Sequence, residues 1–408
     1  MSDLGSIFTD PAAYADPERW HATARQLRET EPITRVQVDG FPEFWALTKH
    51  ADVMEIERNP DIFTNSPIAT LVPAAQVGLM ADAPVKTLVQ MDGDQHKAHR
   101  GIVTEWFKPA SIKTLTESIE ELAKTFIDQM AASGGSCDFV NDVALHYPLR
   151  VILAILGLPV ADYPRMLSLT QELFGGDDPE VARLGEDGAQ LDVLLDMVTY
   201  FTSLAAERRA TPTEDFASVI ANAELDGAPL GDLEMLGHYV IIATAGHDTT
   251  SSAISGGLLA LIENPDQLEL LRTNPALIDD AMADELIRFV SPVKQFTRTC
   301  QEPFSLRGVD FAPGDLVLLS YASANRDEEV FANPDRLDVR RDNAMRQLAF
   351  GFGRHFCLGA HLARLEIRAL FKELLGRLDH IELAGDPRWI QSYFVQGPKS
   401  IPLSYSLR

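Results

Sequence analysis

Phe350-Gly-Phe-Gly353-Arg-His-Phe-Cys357-Leu-Gly359 sets one cysteine in a glycine-spaced loop, and Ala360-His-Leu-Ala-Arg-Leu-Glu-Ile-Arg-Ala-Leu-Phe371 follows with the apolar period of a helix. Cys357 therefore stands at a helix N-terminus, where free backbone N–H groups and the positive dipole end favour a thiolate. Gly353 and Gly359 carry no side chain where backbone must approach a large flat object, and Phe350 is placed to pack on its face. A thiolate presented this way suits an iron that needs a strongly donating axial ligand. A buried structural thiol behind a glycine-rich turn shares the same local pattern, so the rest of the chain has to discriminate.

By length alone, 408 residues suggest two or three domains. No Pro/Ser/Gly-rich linker, charge block or repeat divides the chain, so one mostly helical domain over residues 1–408 is expected. A hydrophobic fraction of 46% supports a sizeable core. Cys137, Cys300 and Cys357 form no Cys-x-x-Cys pair, which argues against a disulfide framework or zinc site and suits a reducing compartment. The first thirty residues, with Asp10, Asp16, Glu18, Arg19 and Arg25, contain no apolar signal core and no spanning helix. A cytoplasmic protein without membrane attachment is the expectation. A formal net charge of -25 argues against generic binding to nucleic acid or anionic membranes.

Along the chain, Pro17 to Thr30 reads as an amphipathic helix, and Ile33–Val38 with Phe44–Thr48 as a hairpin around Asp39-Gly40. Residues 60–92 lack clean periodicity and read as a long irregular loop, of the kind that often binds ligands. Helical patterns follow near 95–107, 112–132, 142–157, 163–174 and 187–209. A long one runs from about Asp232 to Glu263, and another covers about 276–290. Strands are expected at 316–320, near 381–384 and near 393–396, while 329–349 wanders before delivering the cysteine loop. Inside the long helix, Ala245-Gly246-His247-Asp248-Thr249-Thr250 interrupts an apolar run with a glycine, an acid and two hydroxyls. A mid-helix Thr can bond back to the preceding turn and Gly weakens it further, so the ladder is expected to open there. An ordinary solvated kink would read the same in isolation.

The pattern Phe-x-x-Gly-x-x-x-Cys-x-Gly resembles the haem-binding loop of the cytochrome P-450 haem-thiolate monooxygenases, and the resemblance extends over the whole chain. It implies a mainly α prism with a small β-rich subdomain, and haem b held through Cys357, with Phe350 and Gly351 against the cofactor. Gly246, Asp248 and Thr249 match the family's oxygen-activation motif; Asp248 and Thr249 are implied as the catalytic pair that handles dioxygen and its protons. His247 is not expected to be a ligand. His96 and Arg100, four apart on one helix, with Arg298 and His355, match the family's partners for the haem propionates. Glu285-Leu-Ile-Arg288 resembles the family's Glu-x-x-Arg pair, with Arg336 as the expected third member of a structural network bracing the cysteine loop. Leu337 follows Arg336 where the family usually has Phe.

Tyr239 to Ser252, Ser323 to Phe331 and Phe394 to Lys399 look most like the bacterial terpineol-hydroxylating branch. Small monoterpenes or alkyl-aromatic hydrocarbons are therefore implied as substrates, with Ala245, Val293, Phe296 and Phe394 lining the pocket. No flavin or ferredoxin module is recognisable, so electrons from NAD(P)H are expected through a separate reductase and an iron–sulfur ferredoxin. Lys97, Lys108, Lys113, Arg354 and Arg364 are the cations available for that partner. Two rivals differ in chemistry: a peroxide-driven peroxygenase, disfavoured by Asp248 and Thr249, and a non-enzymatic haem sensor or carrier.

Overall fold

The computed structural model describes residues 3–174, 178, 180, 189–279 and 281–408. Helices dominate, and one large apolar cluster runs from the helix Gly93–Thr104 through Asp248–Glu263 and Met282–Val290 to Ala360–Arg377. The small β region is a five-stranded sheet in the order Ile33–Val36, Phe44–Leu47, Leu316–Ser320, Gln295–Cys300, Phe63–Thr64. Its first pair is the expected hairpin, with Ile33 opposite Leu47. Leu316–Ser320 runs parallel to Phe44–Leu47 and antiparallel to Gln295–Cys300, which fixes Arg298 opposite Val317.

The central feature is the pattern between Asp232 and Glu263. It forms two helices, Asp232–Ala245 and Asp248–Glu263, parted at Gly246 and His247. The first begins with acids suited to the dipole, and Glu234 accepts from the Gly231 N–H at 3.0 Å. The second packs closely on Met282–Val290: a Cβ at Gly256 would stand 2.9 Å from the Val290 side chain, and one at Gly257 3.0 Å from Leu286. Two adjacent glycines thus tie the helix break to the Glu285–Arg288 helix.

Other expectations need adjustment. Residues 60–92 contain a helix, Ala74–Ala81, with no buried residue, and a 3-10 turn, Leu88–Gln90. With nothing to bury, that helix has no amphipathic period to detect. Near 393–396 there is a single bridge, Val293 to Val395, rather than a strand. No described helix is long and apolar enough to cross a membrane.

Candidate active site

The cysteine loop is held by its own backbone. The Cys357 N–H donates to Phe350 O at 2.8 Å and the Gly351 N–H to Leu348 O at 2.8 Å. Gly351 and Gly353 have φ of 67° and 73°, the left-handed region that glycine tolerates best. A Cβ at Gly353 would also meet the Glu57 carbonyl oxygen at 2.8 Å, so loop and helix His50–Arg58 touch backbone to backbone. The Cys357 thiol ends up half-buried three residues ahead of the helix Ala360–Arg377. Burial pushes its pKa up, while the Gly359 N–H and the Arg100 and Arg364 guanidinium groups favour the thiolate.

Around the loop gather two histidines and two arginines. His96 and His355 lie with ring centroids 4.2 Å apart, and Arg100 Nη2 donates to Phe356 O at 2.7 Å. His96 is pushed down to about 4, chiefly by burial and then by the charges of His355, Arg100 and Arg354. His96 Nδ1 and His355 Nε2 are buried without a hydrogen-bond partner. Arg298 joins from the sheet, where Nη2 donates to Glu57 Oε1 at 3.0 Å.

At the helix break, Thr249 Oγ1 donates back to Ala245 O at 2.8 Å, the bond expected of a hydroxyl that opens a ladder. Asp248 is half-buried with its Oδ2 buried and without a partner, and desolvation raises its pKa. It lines a cavity of about 330 Å³ together with Asn141, Ser251, Ser252 and Lys399. His247 is wholly buried and braces this corner. Its Nε2 lies 2.7 Å from Leu145 O, an acceptor only, so Nε2 carries hydrogen. Its Nδ1 sits 3.0 Å from Thr170 Oγ1 and 3.3 Å from Asp248 Oδ1. The bracing role was invisible in sequence because its partners lie 77 and 102 positions away.

The structural network forms with one change of member. Arg288 Nε and Nη2 donate to the two oxygens of Glu285 at 2.7 and 2.8 Å, both side chains fully buried. The third member is Arg341, whose Nε donates to Glu285 Oε2 at 3.0 Å. Arg336 is not in the network: its side chain is 69% exposed, with Asp266 3.7 Å away. The chain turns at Asn333, with φ 47° and the Arg336 N–H on Asn333 O, which aims Arg336 outward. Only its carbonyl contributes, accepting from Arg341 Nη2 at 3.0 Å. Of the pocket residues, Phe296 and Phe394 meet edge to face at 5.2 Å, beside the Val293–Val395 bridge. Ala245 is exposed on the last turn of its helix.

This arrangement has known counterparts. Cytochrome P-450-terp from a Pseudomonas species is 39% identical over 97% of this chain and 96% of its own length. The chain belongs to the cytochrome P-450 family. The family model described as cytochrome P-450 matches residues 277–404, which include the network and the cysteine loop. A steroid C26-monooxygenase from Rhodococcus jostii is 33% identical over 98% of the chain and 85% of its own length. Among solved structures, CYP108D1 from Novosphingobium aromaticivorans superposes with a TM-score of 0.91 at 37% identity, covering 100% of this chain and 99% of that one. A Mycobacterium marinum cytochrome P-450 in complex with pseudoionone gives 0.88 at 33% identity, with 95% of each chain covered. The mainly α fold is thus the P-450 fold, and the protein is an enzyme of the monooxygenase class.

Membership of the P-450 family implies haem and dioxygen, and the residues fit a haem. A half-buried thiol lies in a loop whose glycines leave no side chain at two turns. Beside it stand two arginines and two histidines; His96 Nδ1 is buried without a hydrogen bond, and His355 Nε2 has only Asp92 Oδ1, 3.7 Å away. Two propionates would supply the missing acceptors. Of the cations expected to greet a redox partner, Arg364 is engaged inside: Nη2 donates to Asp284 at 2.7 Å and the guanidinium lies 4.7 Å from the Phe350 centroid. Arg354 pairs with Asp61 at 2.8 Å and Lys108 with Glu105; Lys97 and Lys113 are exposed.

Proposed function

We propose that this P-450 hydroxylates a small hydrophobic substrate of the monoterpene or alkyl-aromatic class, using dioxygen and two electrons from a ferredoxin, as a single catalytic domain over residues 1–408 in the cytoplasm. The observation that carries the reading is the half-buried Cys357 thiol beside Arg100, Arg298, His96 and His355, with the opened turn at Asp248–Thr249 in the same chain. Haem b, when bound, supplies the one-electron and dioxygen chemistry. Cys357 Sγ would hold its iron, and His96, Arg100, Arg298 and His355 would hold its propionates, with Phe350 and Gly351 beside it.

The overall reaction consumes substrate, dioxygen, two electrons and two protons, and yields the alcohol and water. Protons must therefore reach the opened turn. Asp248 Oδ2 is buried, unpartnered and biased toward its protonated form, so it can hold a proton and pass it to water in the turn. Thr249 Oγ1 can leave its back-bond to Ala245 O and donate into the space beside it, directing where that proton goes. Phe296, Phe394 and Val293 offer apolar surface for positioning a hydrocarbon, with Ala245 giving room. Support for the substrate class comes from the names of relatives, P-450-terp and the pseudoionone complex.

The test is a titration of purified haem-loaded protein with monoterpenes and alkylbenzenes, followed through the haem spin state, then product analysis with a ferredoxin and reductase. Tight binding with coupled alcohol formation is expected. Turnover with peroxide alone would favour the peroxygenase, and binding without any product would favour a carrier.

A further inference from the structure

One buried acid has no part in the chemistry so far. Glu57 sits in the last turn of the helix His50–Arg58, and its side chain is 1% exposed. Oε1 accepts from Tyr321 Oη at 2.6 Å and from Arg298 Nη2 at 3.0 Å, while Oε2 has no partner. A carboxylate so placed stands directly beneath the cysteine loop: a Cβ on Gly351 would lie 3.5 Å from Glu57 Oε1 and 3.6 Å from Tyr321 Oη. Arg298 is thus gripped from below by an acid, on the same guanidinium that the proposed function gives to a propionate.

We propose that Glu57 is a positioning residue that shares Arg298 with a haem propionate and sets the reduction potential of the bound haem. The inference rests on the haem-thiolate reading above. Its physics is short. A guanidinium divided between two carboxylates neutralises neither completely, and a residual negative charge in a dry interior opposes arrival of an electron nearby. Ionised Glu57 therefore lowers the potential, and a neutral group at the same place raises it. Linkage makes the relation reciprocal: reduction favours protonation of Glu57, and protonation favours reduction.

Glu57 is well suited to change charge near neutrality. Burial pushes its pKa up to about 6, against the lowering effects of Arg298, the Tyr321 hydroxyl and the Phe352 backbone. The charged or titratable groups facing it are Arg298 from the sheet and Tyr321 from the helix Tyr321–Ala324; burial holds Tyr321 neutral. One electron added to the ferric haem can then bring up to one proton onto the Glu57 carboxylate from solvent.

The experiment is a spectroelectrochemical titration of substrate-free haem protein, parent against Glu57→Gln, between about pH 5 and pH 8. The variant is expected to have the higher midpoint potential at the alkaline end, with the gap closing toward the acid end as Glu57 in the parent becomes neutral. Comparing the two proteins cancels the histidines common to both. Tyr321→Phe removes a bond to the ionised form, so its potential should start to rise at a higher pH than the parent's. This second variant keeps the inference testable should Glu57→Gln fail to hold haem. Equal potentials at every pH, or a constant gap, in a protein with the thiolate signature in its reduced carbon-monoxide spectrum would overturn the role of Glu57 alone. A parent lacking that signature would instead overturn the haem-thiolate reading, and this inference with it.

Discussion

The cysteine loop and the helix break are both irregular backbone at a site, but they are built on opposite terms. Around the loop the backbone and the network behind it are committed, and the buried groups left without a hydrogen bond include His96 Nδ1, His355 Nε2 and Glu57 Oε2. The Glu285 carboxylate, which anchors the segment leading into it, accepts four hydrogen bonds, from Arg288 Nε and Nη2, Arg341 Nε and the Asp338 N–H. Two positive-φ glycines and a backbone contact to Glu57 leave the loop no alternative path. At the break, Asp248 has one buried oxygen unpartnered, and Thr249 is held by a back-bond it can release. In the proposed function the loop holds a metal ligand, which must not move, and the break holds a proton carrier, which must exchange partners.

The largest expected effect breaks the rigid side outright. Cys357→His should retain some haem yet lose the thiolate signature in the reduced carbon-monoxide spectrum, together with hydroxylation. An unchanged spectrum would mean that the loop does not carry the ligand.

Next, Arg341→Ala should destabilise the protein by about 2 kcal/mol or more, because it removes a charged hydrogen bond to a buried carboxylate. Arg336→Ala, at an exposed side chain, should stay within about 0.5 kcal/mol. Urea unfolding of the pair, with haem content as a second readout, checks this; equal effects would return Arg336 to the network.

The soft side should respond in the reverse sense, losing function while gaining stability. Asp248→Asn should slow hydroxylation on the order of 100-fold, the usual weight of a positioned proton carrier. Burial raises the folded pKa of Asp248 above its ordinary 3.8, so the native state loses stability as pH rises from the ordinary value and carries the full penalty above the folded one. The Asn variant should therefore be the more stable at neutral pH, and its advantage should vanish below the ordinary carboxylate range. Thr249→Ala should keep stability within about 1 kcal/mol and still consume reduced cofactor, but divert much of it to hydrogen peroxide. Denaturation curves across pH and peroxide assays test both; a loss of stability in Asp248→Asn would show that the break is a structural corner.

The smallest effect concerns the outside of the rigid region. Lys113→Glu should raise by a few fold the ferredoxin concentration needed for half-maximal turnover, and added salt should erase the difference. Rates of reduction by stopped flow that ignore both charge and salt would place the partner elsewhere.

By itself the sequence determined what can be read within a turn or two of chain: a lone cysteine between glycines ahead of a helix, an acid and hydroxyls inside an apolar run, and Glu285 three residues before Arg288. Spacing along one element is a sufficient cue there, because neighbours on a helix meet without help from the rest of the molecule. The long helix was legible, and so was the place where it opens. Only the tertiary structure decided between Arg336 and Arg341, since a left-handed turn at Asn333 sets which guanidinium faces Glu285. It alone placed His247 between Thr170 and Asp248, and set Glu57 under Gly351 and against Arg298, 241 residues away. The helix Ala74–Ala81 escaped notice because it buries nothing. In the cases of Arg341, His247 and Glu57 the deciding contact joins segments distant in the chain, which no local pattern records.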